Sequence, residues 1–232
     1  MGLSAIMSNN TLKPLATETF TCDDVEVLKR VREHDGYFKI DRYVLKHKKH
    51  EGGWTGPLMR EIFERGHATA VLLYDPDLER LVFIEQFRPG AYAAFNSPWF
   101  HKDQHSPWML ECIAGIIDEG ETPEAVARRE SIEEANCAIS DIEPIAHYLV
   151  SPGGTSESIF LFCGRVDAST AGGVHGLEHE GEDIRVQSVP TATALKWLDE
   201  GRFTNAMTLI AMQWFQINRE TLKQKWGVKS DG

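Results

Sequence analysis

The chain has 232 residues, 42% of them apolar, with 35 acidic against 24 basic side chains and a formal charge of −11. That is enough apolar content for a real core, while the acidic excess argues against a nucleic-acid partner held by backbone charge. No apolar run reaches the length of a membrane span, and the first residues lack the apolar stretch of a secretory signal. Cys22, Cys112, Cys137 and Cys163 show neither a CxxC pair nor a disulfide framework, so reduced thiols in a cytoplasm are expected.

In chain order, residues 1–20 read as a mobile lead. VEVLKRVREHD and YFKIDRYVLKHKKH flank Gly36 and alternate weakly, which predicts a hairpin. The basic run from Lys46 to His50 reads as an exposed strand end; in so acidic a chain a nucleic-acid patch is the weaker reading. Strand signals follow at Met59–Phe63, Ala68–Tyr74 and Leu81–Gln86, the last two joined by the turn Asp75-Pro76-Asp77. The segment Thr122-Pro123-Glu124 then starts a helix. Threonine is a good N-cap, proline suits the first helical position, and glutamate suits the positive end of the dipole. Asn136 is the expected stop, since asparagine tolerates the left-handed conformation. Further strands are expected at Ile145–Val150, Ser158–Val166 and Ile184–Val189, and helices at Thr193–Glu200 and Ala206–Trp226. Strands often adjoin one another, so an α/β chain with a mixed sheet between helices fits better than a doubly wound parallel one.

The chemistry concentrates in the helix after Thr122. Glu130, Glu133 and Glu134 lie at i, i+3 and i+4 and share one face, with Arg129 placed to brace them. A charged helix face is usually a solvated one, but three mutually repelling carboxylates beside the apolar run Cys112–Ile117 need a further reason. A divalent cation supplies it, because oxygen ligands suit Mg²⁺ and Mn²⁺. A second acidic cluster, Glu180 and Glu182, follows the glycines 172, 173 and 176, and is either a surface loop or a mobile part of the same site. Ser151–Glu157 is either a plain turn or a loop that admits a ligand to the backbone. Arg60, Arg65 and Arg88 are equally readable as anion grips or as ordinary ion-pair residues.

Taken together, Gly115, Glu121, Arg129, Glu130, Glu133 and Glu134 match the spacing of the Nudix box. Ser131 and Cys137 depart from it at packing positions, and Asn136 stands where the closing glycine is usual. With AGIIDEGE, RESIEEA, SPGGTSE, GLEHEGEDIRV and REIFERGHA, the chain from about Val25 to Trp226 resembles the bacterial ADP-ribose pyrophosphatases of the Nudix superfamily. The resemblance implies a Nudix α/β/α sandwich over residues 64–232, preceded by a small antiparallel β-domain over 21–63 that is exchanged in a homodimer with shared active sites. It implies two or three Mg²⁺ ions, replaceable by Mn²⁺, on the carbonyl of Ala114 and on Glu130, Glu134 and Glu182. Glu180 is the implied general base, with Glu133 the rival on the helix. Implied contacts to the small-molecule substrate, ADP-ribose, are Tyr37, Phe38, Arg60, Glu61, Arg65, Arg88, Ile116, Ser151, Pro152, Gly153 and Glu157. The implied reaction is hydrolysis to AMP and ribose 5-phosphate. The alternatives are another nucleoside diphosphate sugar, such as GDP-mannose or ADP-glucose, or a domain that only senses ADP-ribose. Neither a nucleic-acid nor a membrane partner is expected.

Overall fold

The structure is a computed structural model that describes residues 20–100, 105–177 and 181–227. The lead expected over residues 1–20 lies, but for Phe20, outside the described residues, and so does Glu180. The described residues form two compact units, one within residues 1–67 and 149–157, the other within residues 68–148 and 158–232.

The first unit is a three-stranded antiparallel sheet of β1 (Val25–Asp35), β2 (Lys39–His47) and β3 (Leu58–Glu64) in that order. The expected hairpin forms, closed by Gly36, Tyr37 and Phe38, with Asp35 opposite Lys39. Two register shifts in β1 absorb its two extra residues against β2, the usual consequence of a bulge. The loop after residue 149 belongs to this unit through bonds to the Phe63 main chain: Phe63 N donates to Gly154 O at 2.8 Å, and Thr155 Oγ1 donates to Phe63 O at 3.0 Å. Among the described residues of the unit only Asp41 is buried, held by Arg30 and Arg32, while Val25, Val27, Leu28, Tyr37 and Met59 stand exposed. The sheet therefore buries no apolar side chain within its own chain.

The second unit is an eight-stranded mixed sheet between helices. Its members are β4 (Ala68–Asp75), β5 (Arg80–Phe87), β6 (Trp108–Glu111), β7 (Ile113–Ile116), β8 (Asp141–Leu149), β9 (Ser158–Arg165), β10 (Gly173–His175) and β11 (Ile184–Pro190). The main path runs β10-β11-β5-β4-β9-β8, with β4 and β9 parallel. The helices are α1 (Pro89–Ala94), α2 (Pro123–Ala135), α3 (Thr191–Asp199) and α4 (Ala206–Lys225). Strand β4 shows why the sheet is covered on both faces. Ala70, Leu72 and Tyr74 pack with Met207, Ala211 and Phe215 of α4, whereas Val71 and Leu73 pack in the cluster that holds Ala127 and Ala135 of α2. Period-two alternation with both sides apolar is what a central strand of a three-layer sandwich requires. None of the described helices is long and apolar enough to cross a membrane.

One topological feature positions the site. Strands β4 and β5 pair only next to their turn, from Leu73–Asp75 against Arg80–Val82, and then part. Into the gap run β6, paired with β5, and β7, paired with β4, with Cys112 at the change of partner. The Asp75-Pro76-Asp77 turn closes as expected, Asp75 Oδ1 accepting from the amides of Asp77 and Leu78 at 2.9 Å. The expectations missed β6, β7, β10 and α1 and started β8 four residues late. Pro144 lies inside β8, which is tolerated because β8 is the edge strand of its sheet.

Candidate functional site

Helix α2 begins and ends as its sequence dictates. Thr122 Oγ1 accepts from Ala125 N at 3.2 Å, Pro123 opens the helix, and Asn136 closes it with φ of 50°. Ser131 and Cys137, the two departures from the aliphatic pattern, are both buried. The Ser131 hydroxyl donates to Arg128 O at 2.9 Å, so a polar side chain at that packing position leaves no orphan group.

The charged residues after Arg128 divide by burial. Arg129 lies among three carboxylates, with Nε 3.1 Å from Glu121 Oε1 and Nη1 2.8 Å from Glu130 Oε1 and 3.0 Å from Glu133 Oε2. Glu133 is the more exposed, with a third of its side chain in solvent, and the arginine brace that spacing predicts is present. Glu134 faces the sheet and is buried. Its Oε2 accepts from the Ala114 amide at 3.1 Å, a bond outside the β4–β7 ladder. In an extended strand the N–H and C=O of one residue project to the same side, so the Ala114 carbonyl lies on the side of Glu134. Gly115, next along β7, has no room for a side chain: a Cβ there would overlap the Glu130 carboxylate. The glycine that opens the motif is therefore required by the glutamate fifteen positions later.

Glu182 joins from the loop before β11, its Oε2 accepting from Leu177 N at 3.0 Å. Gly176, at φ of 107°, permits this approach, since a Cβ there would come within 2.7 Å of the Glu182 Cβ. The charge of Glu182 acts on both Glu130 and Glu134. Burial pushes the Glu134 carboxyl up to about 8, the charges of Glu130 and Glu182 add to the rise, and the Ala114 amide and Arg88 oppose it. Burial likewise pushes Glu130 up to about 7, with Glu133 and Glu182 adding and Arg129 opposing. Among the described residues no three carboxylates converge as a finished ligand shell; Glu130 is turned to Arg129 and Glu182 to Leu177. The donor set nevertheless fits a hard divalent ion: every donor is oxygen, and Glu134 is buried with no ion-pair partner within reach among the described residues.

Arg88 precedes α1, and its Nε donates to Glu111 Oε2 at 2.7 Å. Ile116, at the end of β7, is half-exposed. The second unit thus brings together Ala114, Arg88, Glu130, Glu133, Glu134 and Glu182. In the first unit, Tyr37 and Phe38 form an edge-on pair with ring centres 4.8 Å apart, and Phe38 meets Phe63 at 5.0 Å. Arg65 Nε lies 3.4 Å from Glu157 Oε1, so those two of the expected contacts are joined. Arg60 is turned onto its neighbour's carbonyl, Met59 O, at 2.7 Å, and Glu61 lies opposite Arg42 on β2. Ser151 O accepts from Gly154 N and Thr155 N, leaving Ser151, Pro152 and Gly153 exposed at a tight turn. Sequence reasoning passed over Glu111 and Asn205. A lone glutamate at a strand end and an asparagine before a helix carry no local sign that they meet.

A model of the NUDIX domain matches residues 64–206. The ADP-ribose pyrophosphatase of Escherichia coli (strain K12) is 44% identical over 208 residues, 90% of this chain and 95% of that protein. The GDP-mannose pyrophosphatase of Pectobacterium atrosepticum is 29% identical over 193 residues, 82% of this chain and 92% of that one. A solved structure described as an ADP compounds hydrolase superposes with a TM-score of 0.62 at 19% identity, covering 87% of this chain and 96% of its own, which is a likeness of fold. With the box residues gathered on α2 against β7 and the domain model spanning most of the chain, the protein belongs to the Nudix family.

Proposed function

We propose that the chain hydrolyses ADP-ribose to AMP and ribose 5-phosphate, with Mg²⁺ or Mn²⁺ as cofactor. The observation that carries this reading is the buried Glu134 carboxylate on the Ala114 amide, with Glu130 against Gly115 beside it, in a chain 44% identical to an ADP-ribose pyrophosphatase. Glu130, Glu134, Glu182 and the Ala114 carbonyl would hold two or three cations. Bound there, they would neutralise the diphosphate and make its phosphorus a better electrophile. The protein's own residues do the rest. Arg88, with Arg60 and Arg65, grips phosphate and ribose oxygens through forked hydrogen bonds. Tyr37 and Phe38 offer aromatic faces to adenine. Glu61, Ile116, Glu157 and the Ser151–Gly153 turn complete the substrate contacts. Glu180 accepts the proton of the attacking water, the new P–O bond forms, and the bridging P–O bond breaks.

The test is a panel of nucleoside diphosphate sugars with Mg²⁺ and product identification. ADP-ribose should be turned over fastest, EDTA should abolish turnover, and Mg²⁺ or Mn²⁺ should restore it. Undiminished activity in EDTA after dialysis would remove the metal mechanism. Faster turnover of GDP-mannose would favour the second reading, which the GDP-mannose pyrophosphatase relative supports.

The first unit bears on the oligomeric state. A three-stranded sheet whose only buried side chain is Asp41 lacks the apolar cover an independent sheet needs. A homodimer that covers it, and that shares Tyr37 and Phe38 between sites, is therefore part of the proposal. Sedimentation should give a dimer at micromolar concentration; a fully active monomer would overturn shared sites. The free cysteines Cys22, Cys112, Cys137 and Cys163 accord with a reducing cytoplasm.

A further inference from the structure

Glu111 is wholly buried. A carboxylate is kept in such a place only where its oxygens are well partnered. Oε2 accepts from Arg88 Nε at 2.7 Å, and Oε1 accepts from Asn205 Nδ2 at 2.5 Å. Asn205 spends its other atom on α4: Oδ1 accepts from Met207 N at 3.0 Å and Thr208 N at 3.4 Å, capping the helix. One turn on, Thr208 Oγ1 accepts from Cys112 N at 3.0 Å. Cys112 is the residue where the chain changes partner from β5 to β4. The first turn of α4 thus clamps both Glu111 and the strand crossing that leads to Ala114.

The other end of this chain of bonds is Arg88. Its main chain is held by its amide, which donates to Pro107 O at 2.8 Å. Among the described residues Glu111 is the one side chain its guanidinium bonds, and it does so through Nε. A guanidinium held at Nε has its plane set while both terminal amino groups stay available for an anion. Through Glu111 the guanidinium is tied to the segment that leads into β7, where the Ala114 amide donates to Glu134 Oε2 at 3.1 Å.

We propose that Glu111 is a positioning residue for the hydrolysis: anchored by Asn205 on α4, it holds Arg88 with its terminal N–H groups presented to the substrate diphosphate. This rests on the reading of Arg88 as a substrate contact given above. A merely structural carboxylate would be replaceable without regard to Arg88; a positioning one acts only through it.

The test is a double-mutant cycle on ADP-ribose hydrolysis with Mg²⁺, together with the Nε–H signal of Arg88 by NMR, assigned by its loss in R88A. E111Q keeps the shape and removes the charge, and should lower kcat/KM by about 10- to 100-fold. In the R88A background the same change should cost almost nothing further. N205S retains a helix cap but loses the donor to Glu111, so it should produce a smaller loss that also vanishes with R88A. It carries the test should E111Q fail to fold. The Nε–H signal should shift and exchange faster with water in both E111Q and N205S. Additive losses, or an unmoved Nε–H signal, overturn the proposal while leaving Arg88 as a substrate contact. Full activity in R88A fails the reading of Arg88 itself and takes the proposal with it.

Discussion

Glu134→Gln is expected to lower kcat by roughly 10³-fold while making the metal-free protein more stable in alkali. The two effects have one cause. Burial raises the Glu134 carboxyl to about 8 and the Glu130 carboxyl to about 7. A carboxyl raised on folding binds its proton more tightly in the folded state than in the unfolded one. Its contribution to stability is full below the ordinary carboxylate range and is lost as pH rises through the folded value. In EDTA the wild-type Tm should therefore fall as pH rises from the ordinary carboxylate value of 4.5 to about 8 and level off above it, and Mg²⁺ should reverse much of that fall by pairing the ionised groups. Glutamine cannot ionise, so the variant should show a flatter Tm profile, with Glu130 supplying what slope remains. A wild-type Tm that is level across this window, with EDTA present, would show that Glu134 and Glu130 carry no such strain.

Glu180→Gln is expected to cut kcat by about 10²–10⁴-fold with little change in metal or substrate affinity, the signature of a lost general base. Glu133→Gln should act differently. The Glu133 Oε2 already accepts from Arg129 at 3.0 Å, and Arg129 also holds Glu121 and Glu130. Removing that charge weakens the hold on Arg129 and disturbs Glu130, so metal affinity should weaken along with the rate. Single-turnover kinetics and metal titration of the two variants separate the roles. A mild loss at Glu180 beside a collapse in kcat alone at Glu133 would exchange the assignments.

Local chemistry explains what could be read in advance. The limits of α2 depend on Thr122, Pro123 and Asn136, each acting within one turn of the helix end. The brace from Arg129 to Glu133 follows from i, i+4 spacing, which any helix imposes. Central strands β4 and β5 announce themselves by unbroken apolar runs, and β4 is buried along nearly its whole length. By contrast, β6 and β7 are four residues each, too short for a period to stand out.

The sequence by itself determined the family, the metal-ligand candidates and the helix that carries most of them, because those depend on residue type and spacing along one element. Only the tertiary structure decided that Glu134 is buried against the Ala114 amide while Glu133, one residue earlier, stays with Arg129 near solvent. One helical step turns a side chain by about 100°, and which direction meets the sheet is settled by packing of the whole helix. The same holds for Glu111, Arg88 and Asn205, joined across 23 and 94 positions of sequence. Their meeting depends on β4 and β5 parting to admit β6 and β7, and on α4 starting beside that crossing. These are long-range packing outcomes, and no local spacing encodes them.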